Sequence, residues 1–207
     1  MPTISAAARA NSAEGNHAIT RFVRHAIPEV IEAIPERFGD HRGFLSEVWQ
    51  RDRLAEGGIA NDWNQENHSC SAEAGTVRGL HFQVPPYAQA KLVRVPRGAI
   101  FDVAVDLRRD SPSFGKWVGV ELSAEKWNQL LVPAGFAHGF VTLEPDTDVI
   151  YLLDAPWSPE AERAIRWDDP DLAIAWPEIG KPPVLSQKDR QAMAFAEFDS
   201  PFTCAGE

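Results

Sequence analysis

The run Lys91-Leu92-Val93-Arg94-Val95-Pro96-Arg97-Gly98-Ala99-Ile100-Phe101-Asp102-Val103-Ala104-Val105-Asp106-Leu107 decides the fold. Residues 91–95 alternate in character. Further on, Ala99, Phe101, Val103, Val105 and Leu107 fall on one face of a strand, with Asp102, Ala104 and Asp106 on the other. Successive side chains of a strand point to opposite faces of its sheet, so a period of two is a strand signature. With Pro96-Arg97-Gly98 between them, the two alternating runs predict a β-hairpin. Working outward, short apolar runs bounded by Gly, Pro and Asp predict further strands near Trp117–Leu122, Asn128–Val132, Phe136–Leu143 and Val149–Leu153. Many short strands and few helices indicate an all-β protein, a sandwich or barrel rather than a parallel α/β sheet. Ser158-Pro159-Glu160 predicts a short helix, as an N-cap followed by proline at the first helical position. Ser186, with Asp189 three residues on, predicts a capped C-terminal helix. Prolines after Trp176 predict a segment wrapped around the outside of the barrel.

The length of 207 residues suits one domain with a sizeable core, and 44% hydrophobic with 24% charged residues is a globular composition. We expect a single domain over 19–207. Residues 1–18 are small and polar with no apolar core, so they read as a flexible tail rather than a secretory signal. No run approaches the roughly 20 apolar residues of a membrane span. The net charge of −10 argues against a nucleic-acid or phospholipid surface, although it leaves room for a local basic pocket. Cys70 and Cys204 have no metal or redox spacing, and a reducing cytoplasm is their simplest setting.

His81 follows Arg78-Gly79-Leu80, where a glycine permits a tight bend in the strand. Taken alone it reads as a core histidine. Two neighbours change that reading. Lys91 shares a strand face with Val93 and Val95, so it points inward to meet an anion, unless it is an edge lysine guarding against strand pairing. His138 lies in Pro133-Ala134-Gly135-Phe136-Ala137-His138-Gly139-Phe140, a strand whose small residues suit the wall of a cavity. A metal is not expected, because no His-x-His pair with a nearby glutamate occurs. Tyr151 is mid-strand and reads as core or as a proton donor. Trp157 reads as a packed surface residue or as a ring that stacks on a base or sugar.

Several segments in order resemble the dTDP-4-dehydrorhamnose 3,5-epimerase family over about residues 37–189. They are Asp40-His41-Arg42-Gly43-Phe44-Leu45-Ser46-Glu47, Gln65-Glu66-Asn67-His68-Ser69, Arg78-Gly79-Leu80-His81-Phe82-Gln83, Asp102-Val103-Ala104-Val105-Asp106-Leu107-Arg108, residues 133–140 and Leu185-Ser186-Gln187-Lys188-Asp189. The resemblance implies a jelly-roll (cupin) barrel with a few short helices, a strand-exchanged homodimer, and no metal or other cofactor. It implies that His81 takes the proton alpha to a 4-keto group, with Asp189 orienting it. It implies that Lys91 holds the enolate oxygen and Tyr151 returns a proton from the opposite face. For Asp189 the helix cap is a competing role. Arg42, Phe44, Glu47, Gln65, Asn67, Arg78, His138, Glu162 and Lys188 are implied as contacts to a dTDP-sugar, with Arg78 suited to the diphosphate and Arg42 reaching across the dimer. For Glu162 a first-turn helix acid is the rival. Where the family usually has a tyrosine stacked on thymine, this chain has Trp157. The implied reaction is epimerisation of dTDP-4-dehydro-6-deoxy-D-glucose at C3 and C5. A C3-only epimerase and a non-catalytic sugar-nucleotide-binding cupin are the alternatives.

Overall fold

The alternating segment at 91–107 does form two strands, but they do not pair with each other. A computed structural model describes residues 20–204, so the expected tail at 1–18 lies outside the described residues. In chain order the strands are β1 (Thr20–Arg24), β2 (Ile31–Pro35), β3 (Phe38–Asp40), β4 (Gly43–Leu45), β5 (Gln65–Ser71), β6 (Val77–Gln83), β7 (Lys91–Arg97), β8 (Ala99–Asp106), β9 (Trp117–Ser123), β10 (Gln129–Val132), β11 (Phe136–Thr142), β12 (Thr147–Leu153) and β13 (Glu162–Ala164). Helices α1 (Arg51–Glu56) and α2 (Gln187–Arg190) are short. One sheet has the order β1-β2-β10-β7-β12-β5, the second β13-β6-β11-β8-β9, and β3-β4 form a separate two-stranded arm.

So β7 belongs to the six-stranded sheet and β8 to the five-stranded one, and the expected hairpin is a crossing between sheets. Gly98 makes that corner at φ +79°, where a Cβ would lie 2.3 Å from Thr147 Oγ1. Alternation identifies a strand and its two faces; it does not name the strand's neighbour. Here β7 is flanked by β10 and β12, and β8 by β11 and β9.

The two sheets face each other across a core in which Val93, Val95, Leu130, Val132 and Val149 meet Ile100, Ala104, Val118, Leu122, Phe136 and Phe140. Each fully buried aliphatic or aromatic side chain here contributes about 1.5–3 kcal/mol from leaving water. The opposite faces are covered too. Leu92 and Leu131 pack under Leu54 of α1 and Ile59. Leu80, Phe82, Val103, Val105 and Leu107 pack under Ile165, Leu172, Trp176 and Phe202, with Phe195 and Phe198 against them, so the chain wraps the five-stranded sheet after Trp176, as expected, and already before it. This is a cupin-like jelly roll. No helix among the described residues is long and apolar enough to cross a membrane.

The helix expected at Ser158 is absent. The Ser158 N–H donates to Gln83 Oε1 at 2.6 Å, and its carbonyl accepts from Ala161 and Glu162 in a single turn. The chain then pairs with β6 as β13, with Glu162 opposite Gln83. Glu162 is therefore a strand residue, and its reading as a first-turn helix acid fails, because pairing with β6 overrides the local helix signal.

Candidate active site

Strand parity assembles the site. Lys91 on β7, Asp102 on β8, His138 on β11 and Tyr151 on β12 share a parity with residues of the inter-sheet core, and His81 on β6 lies opposite the outward Leu80 and Phe82, so all five turn toward the interior. β6 and β11 pair with His81 opposite His138, and the register slips between His138 and Phe140. At this point a Cβ on Gly79, at φ +119°, would lie 2.5 Å from Gly139 Cα. Only two glycines let these backbones come so close beside both histidines.

Asp189 reaches the site from α2, behind β6. Its Oδ1 lies 2.6 Å from His81 Nε2, and its Oδ2 accepts from the Ser186 hydroxyl at 2.6 Å. Ser186 Oγ in turn accepts the Asp189 N–H at 3.1 Å, which caps the helix. The two competing roles of Asp189 thus coexist, because the cap uses its backbone and the histidine its carboxylate. Burial acts to raise the Asp189 carboxyl, but donors from His81, Ser186 and the Gly79 N–H hold it below its ordinary value. With Nε2–H donating to a carboxylate, the acceptor lone pair of His81 is on Nδ1.

Lys91 is partly buried, with Nζ 3.3 Å from the His81 carbonyl and 3.4 Å from His138 Nδ1. Burial lowers its pKa to about 8, against the opposing pull of Asp102 and Glu162. The edge-lysine reading fails, since β7 is an inner strand. His138 Nε2 is bonded to Asp102 Oδ1 at 2.7 Å, and burial lowers the imidazole's pKa.

Tyr151 leads into a polar chain. Asn67 Nδ2 donates to its hydroxyl at 3.4 Å, Gln65 Nε2 donates to Asn67 Oδ1 at 3.0 Å, and the Trp157 N–H donates to Gln65 Oε1 at 3.4 Å. Trp157 itself is exposed. Lys188 and Glu162 form an ion pair of 2.5 Å beside it. Burial acts to raise the Glu162 carboxyl, but Lys188, helped by His81 and Trp157, holds it below its ordinary value. Arg78 stands three residues before His81 on β6, donating to Ser71 Oγ and the Cys70 carbonyl at 3.3 Å.

Arg42, Phe44 and Glu47 are not drawn into this cluster. They lie on or after the β3–β4 arm, where Arg42 pairs with Asp40 at 2.6 Å, Phe44 packs edge-on against Trp127 and Glu47 pairs with Arg53 at 3.2 Å. Phe44 is 53% exposed. Three contributors escaped the sequence reading: Asp102, Ser186 as a hydroxyl donor, and Gln83, whose amide holds the turn carrying Trp157. The signal for Asp102 was an acid on an otherwise apolar strand; its partner, 36 residues on, was not legible. Among the described residues no three His, Cys, Asp or Glu side chains are grouped to hold a metal ion.

A jelly roll that turns such an acid–base set into the gap between its sheets is an isomerase of the sugar-nucleotide epimerase class. Within that class the chain belongs to the dTDP-4-dehydrorhamnose 3,5-epimerase family, whose model matches residues 24–197. A relative of that name from Sinorhizobium fredii is 51% identical, over 87% of this chain and 92% of its own length. Another from Pseudomonas aeruginosa is 51% identical, over 86% and 98%. The crystal structure of dTDP-6-deoxy-D-glucose-3,5-epimerase from Legionella pneumophila, in complex with dTDP-4-keto-L-rhamnose, superposes with a TM-score of 0.83 at 42% identity. That match covers 87% of this chain and 95% of that one.

Proposed function

We propose that the chain epimerises dTDP-4-dehydro-6-deoxy-D-glucose at C3 and C5 to dTDP-4-dehydro-L-rhamnose, in dTDP-L-rhamnose biosynthesis. The observation that carries this reading is the histidine–carboxylate pair at His81 and Asp189 with the Lys91 ammonium 3.3 Å from the same histidine's carbonyl. A base on β6 and a cation on β7, brought together from the two facing sheets, suit a carbon acid beside a ketone. His81 takes the proton through Nδ1, Asp189 orients the ring, Lys91 holds the enolate oxygen, and Tyr151 delivers a proton to the other face. The proton leaves and returns at one carbon, so no redox cofactor is needed.

Trp157 stacks on the thymine. Gln65, Asn67, Arg78, Glu162 and Lys188 contact the ligand, with Arg78 on the diphosphate; His138 lines the same site with its ring nitrogens held by Asp102 and Lys91. The protein works as a cytoplasmic homodimer of one domain per chain, from residue 19 onward. In it the exposed arm carries Arg42, Phe44 and Glu47 to the partner's site; the 53% exposure of Phe44 supports that reading.

Solvent deuterium exchange into the substrate tests this directly. Label at both C3 and C5 is the expected result. Label at C3 alone makes the chain a C3 epimerase, and no label with dTDP bound reduces it to a binding module. Tyr151→Phe should slow net inversion more than the first exchange, and equal loss of both removes its role as the acid.

A further inference from the structure

The site contains a second histidine–carboxylate pair that the proposed reaction does not use. Asp102 is fully buried on β8, and His138 is buried on the neighbouring β11. Asp102 Oδ1 meets His138 Nε2 at 2.7 Å, whereas its Oδ2 is buried with no hydrogen-bond partner among the described residues. A buried carboxylate oxygen in that state is costly unless a cation stands near. The cation is Lys91, one imidazole away, with Nζ 3.4 Å from His138 Nδ1. Hydrogen-bond polarity then fixes the ring. Nε2 faces an acceptor and must carry a proton; Nδ1 faces an ammonium, which only donates, and must be bare. The imidazole is neutral, and burial disfavours its charged form in the same direction. Two of the three Lys91 N–H bonds are accounted for, by His138 Nδ1 and the His81 carbonyl, and together they set where the third points.

We propose that Asp102 and His138 are positioning residues, a carboxylate–imidazole relay that keeps the Lys91 ammonium charged and aimed at the substrate's ketone oxygen. This rests on the reading of Lys91 as the enolate's cation. Asp102 never touches substrate; it acts by fixing the His138 tautomer and by placing a negative charge behind it. The charged and titratable groups around Lys91 are His81 and Asp189 on the β6 side, His138, Asp102, Glu162 on β13, Lys188 on α2 and Tyr151 on β12. Of these, Asp102 and Glu162 favour its charge and Lys188 opposes it.

The decisive variant is Asp102→Asn, which keeps the shape and an acceptor for Nε2–H but removes the charge. Activity should fall by about tenfold or more at pH 8 and by clearly less at pH 6, because each unit by which Lys91 loses proton affinity moves the alkaline limb by one pH unit. KM should change little. An unmoved alkaline limb, or a loss equal at every pH, overturns the proposal and leaves Asp102 a packing residue. Should the variant fail to fold, 15N chemical shifts of His138 in the unaltered protein decide: Nε2 protonated and Nδ1 bare is expected, and a proton on Nδ1 overturns it. Lys91→Met separates this from the underlying reading. If it retains C3 exchange, Lys91 is not the enolate's cation; if it abolishes exchange while Asp102→Asn leaves the pH profile alone, only the relay fails.

Discussion

Two histidine–carboxylate pairs lie side by side in this molecule with nearly the same bond, 2.6 Å at His81–Asp189 and 2.7 Å at His138–Asp102. Their surroundings separate them. The His81 side chain is 27% exposed, and its carboxylate comes from a four-residue helix on the outside of the sheet. The His138 side chain is 7% exposed, and its carboxylate comes from the adjacent strand of the same sheet. A ring that must exchange protons with a ligand needs one nitrogen that the protein does not occupy. A ring that only organises charge can have both occupied, and His138 does. On the proposed mechanism the same chemical pair is a base in one setting and a support in the other, and the difference in access is what favours that division.

The comparison breaks most sharply at His81. His81→Ala should lower exchange by about 10²–10⁴-fold, the usual range for loss of a general base, with dTDP binding retained. Loss of binding to the same degree, measured by calorimetry, would reduce His81 to a structural residue like its neighbour.

Next in size is the pH response of Lys91, which stands between the two pairs. Its charge is favoured below about 8 and lost above it. The kcat/KM of the free enzyme should therefore fall as pH rises through about 8. The limb in kcat should lie higher, because an anionic ligand favours the ammonium. The stability effect has the opposite sign. A lysine whose folded value is lowered opposes folding at neutral pH, and that opposition fades as pH rises from about 8 toward its ordinary 10.5. An alkaline limb of kcat/KM near 10 would show Lys91 to be solvated.

How much of this was readable in advance follows the physics of strands. Strand positions near Trp117–Ser123, Gln129–Val132, Phe136–Thr142 and Thr147–Leu153, and the alternating faces within 91–107, were legible, because side-chain period is a local property. Strand partners were not, so the turn at Gly98 was read as a hairpin when it leads from one sheet to the other. Which face of β8 turns to the interior was not legible either. Its apolar face, Val103 and Val105, lies under the C-terminal wrap, while the face with Asp102 and Ala104 meets the site. The Asp189 conflict dissolved because sequence does not distinguish the atoms of one residue. The exposed β3–β4 arm was given a role only through its resemblance to a family, since nothing local to Arg42 or Phe44 indicates what it meets.

A smaller effect sharpens the open pair. Ser186→Ala removes both the helix cap and the donor to Asp189 Oδ2. It should cost about 1 kcal/mol of stability, in the range for lost N-caps, and lower kcat severalfold through a looser His81. The enclosed pair has no such outer support, so thermal melts and kcat of this variant should leave the His138 15N shifts unchanged.

The remaining effect falls on KM rather than kcat, at Gln83, two residues beyond His81 on the same strand. Its Nε2 donates to the carbonyls of Tyr87 at 2.8 Å and Pro156 at 3.1 Å, and its Oε1 accepts the Ser158 N–H at 2.6 Å. The bonds to Pro156 and Ser158 hold both sides of Trp157 to β6, the third ties in the turn at Tyr87, and Gln83 is only 4% exposed. Each is worth about 0.5–1.5 kcal/mol net, and their loss frees the turn rather than the strand. Gln83→Met, which fills the same space without the bonds, should raise KM and the dTDP dissociation constant by about tenfold, equivalent to roughly 1.4 kcal/mol. It should leave kcat within about twofold, as expected when only uniform binding is lost. A matching fall in kcat would instead tie Gln83 to the orientation of His81, and the ligand-facing side would then be part of the proton-transfer machinery rather than a separate grip on the nucleotide.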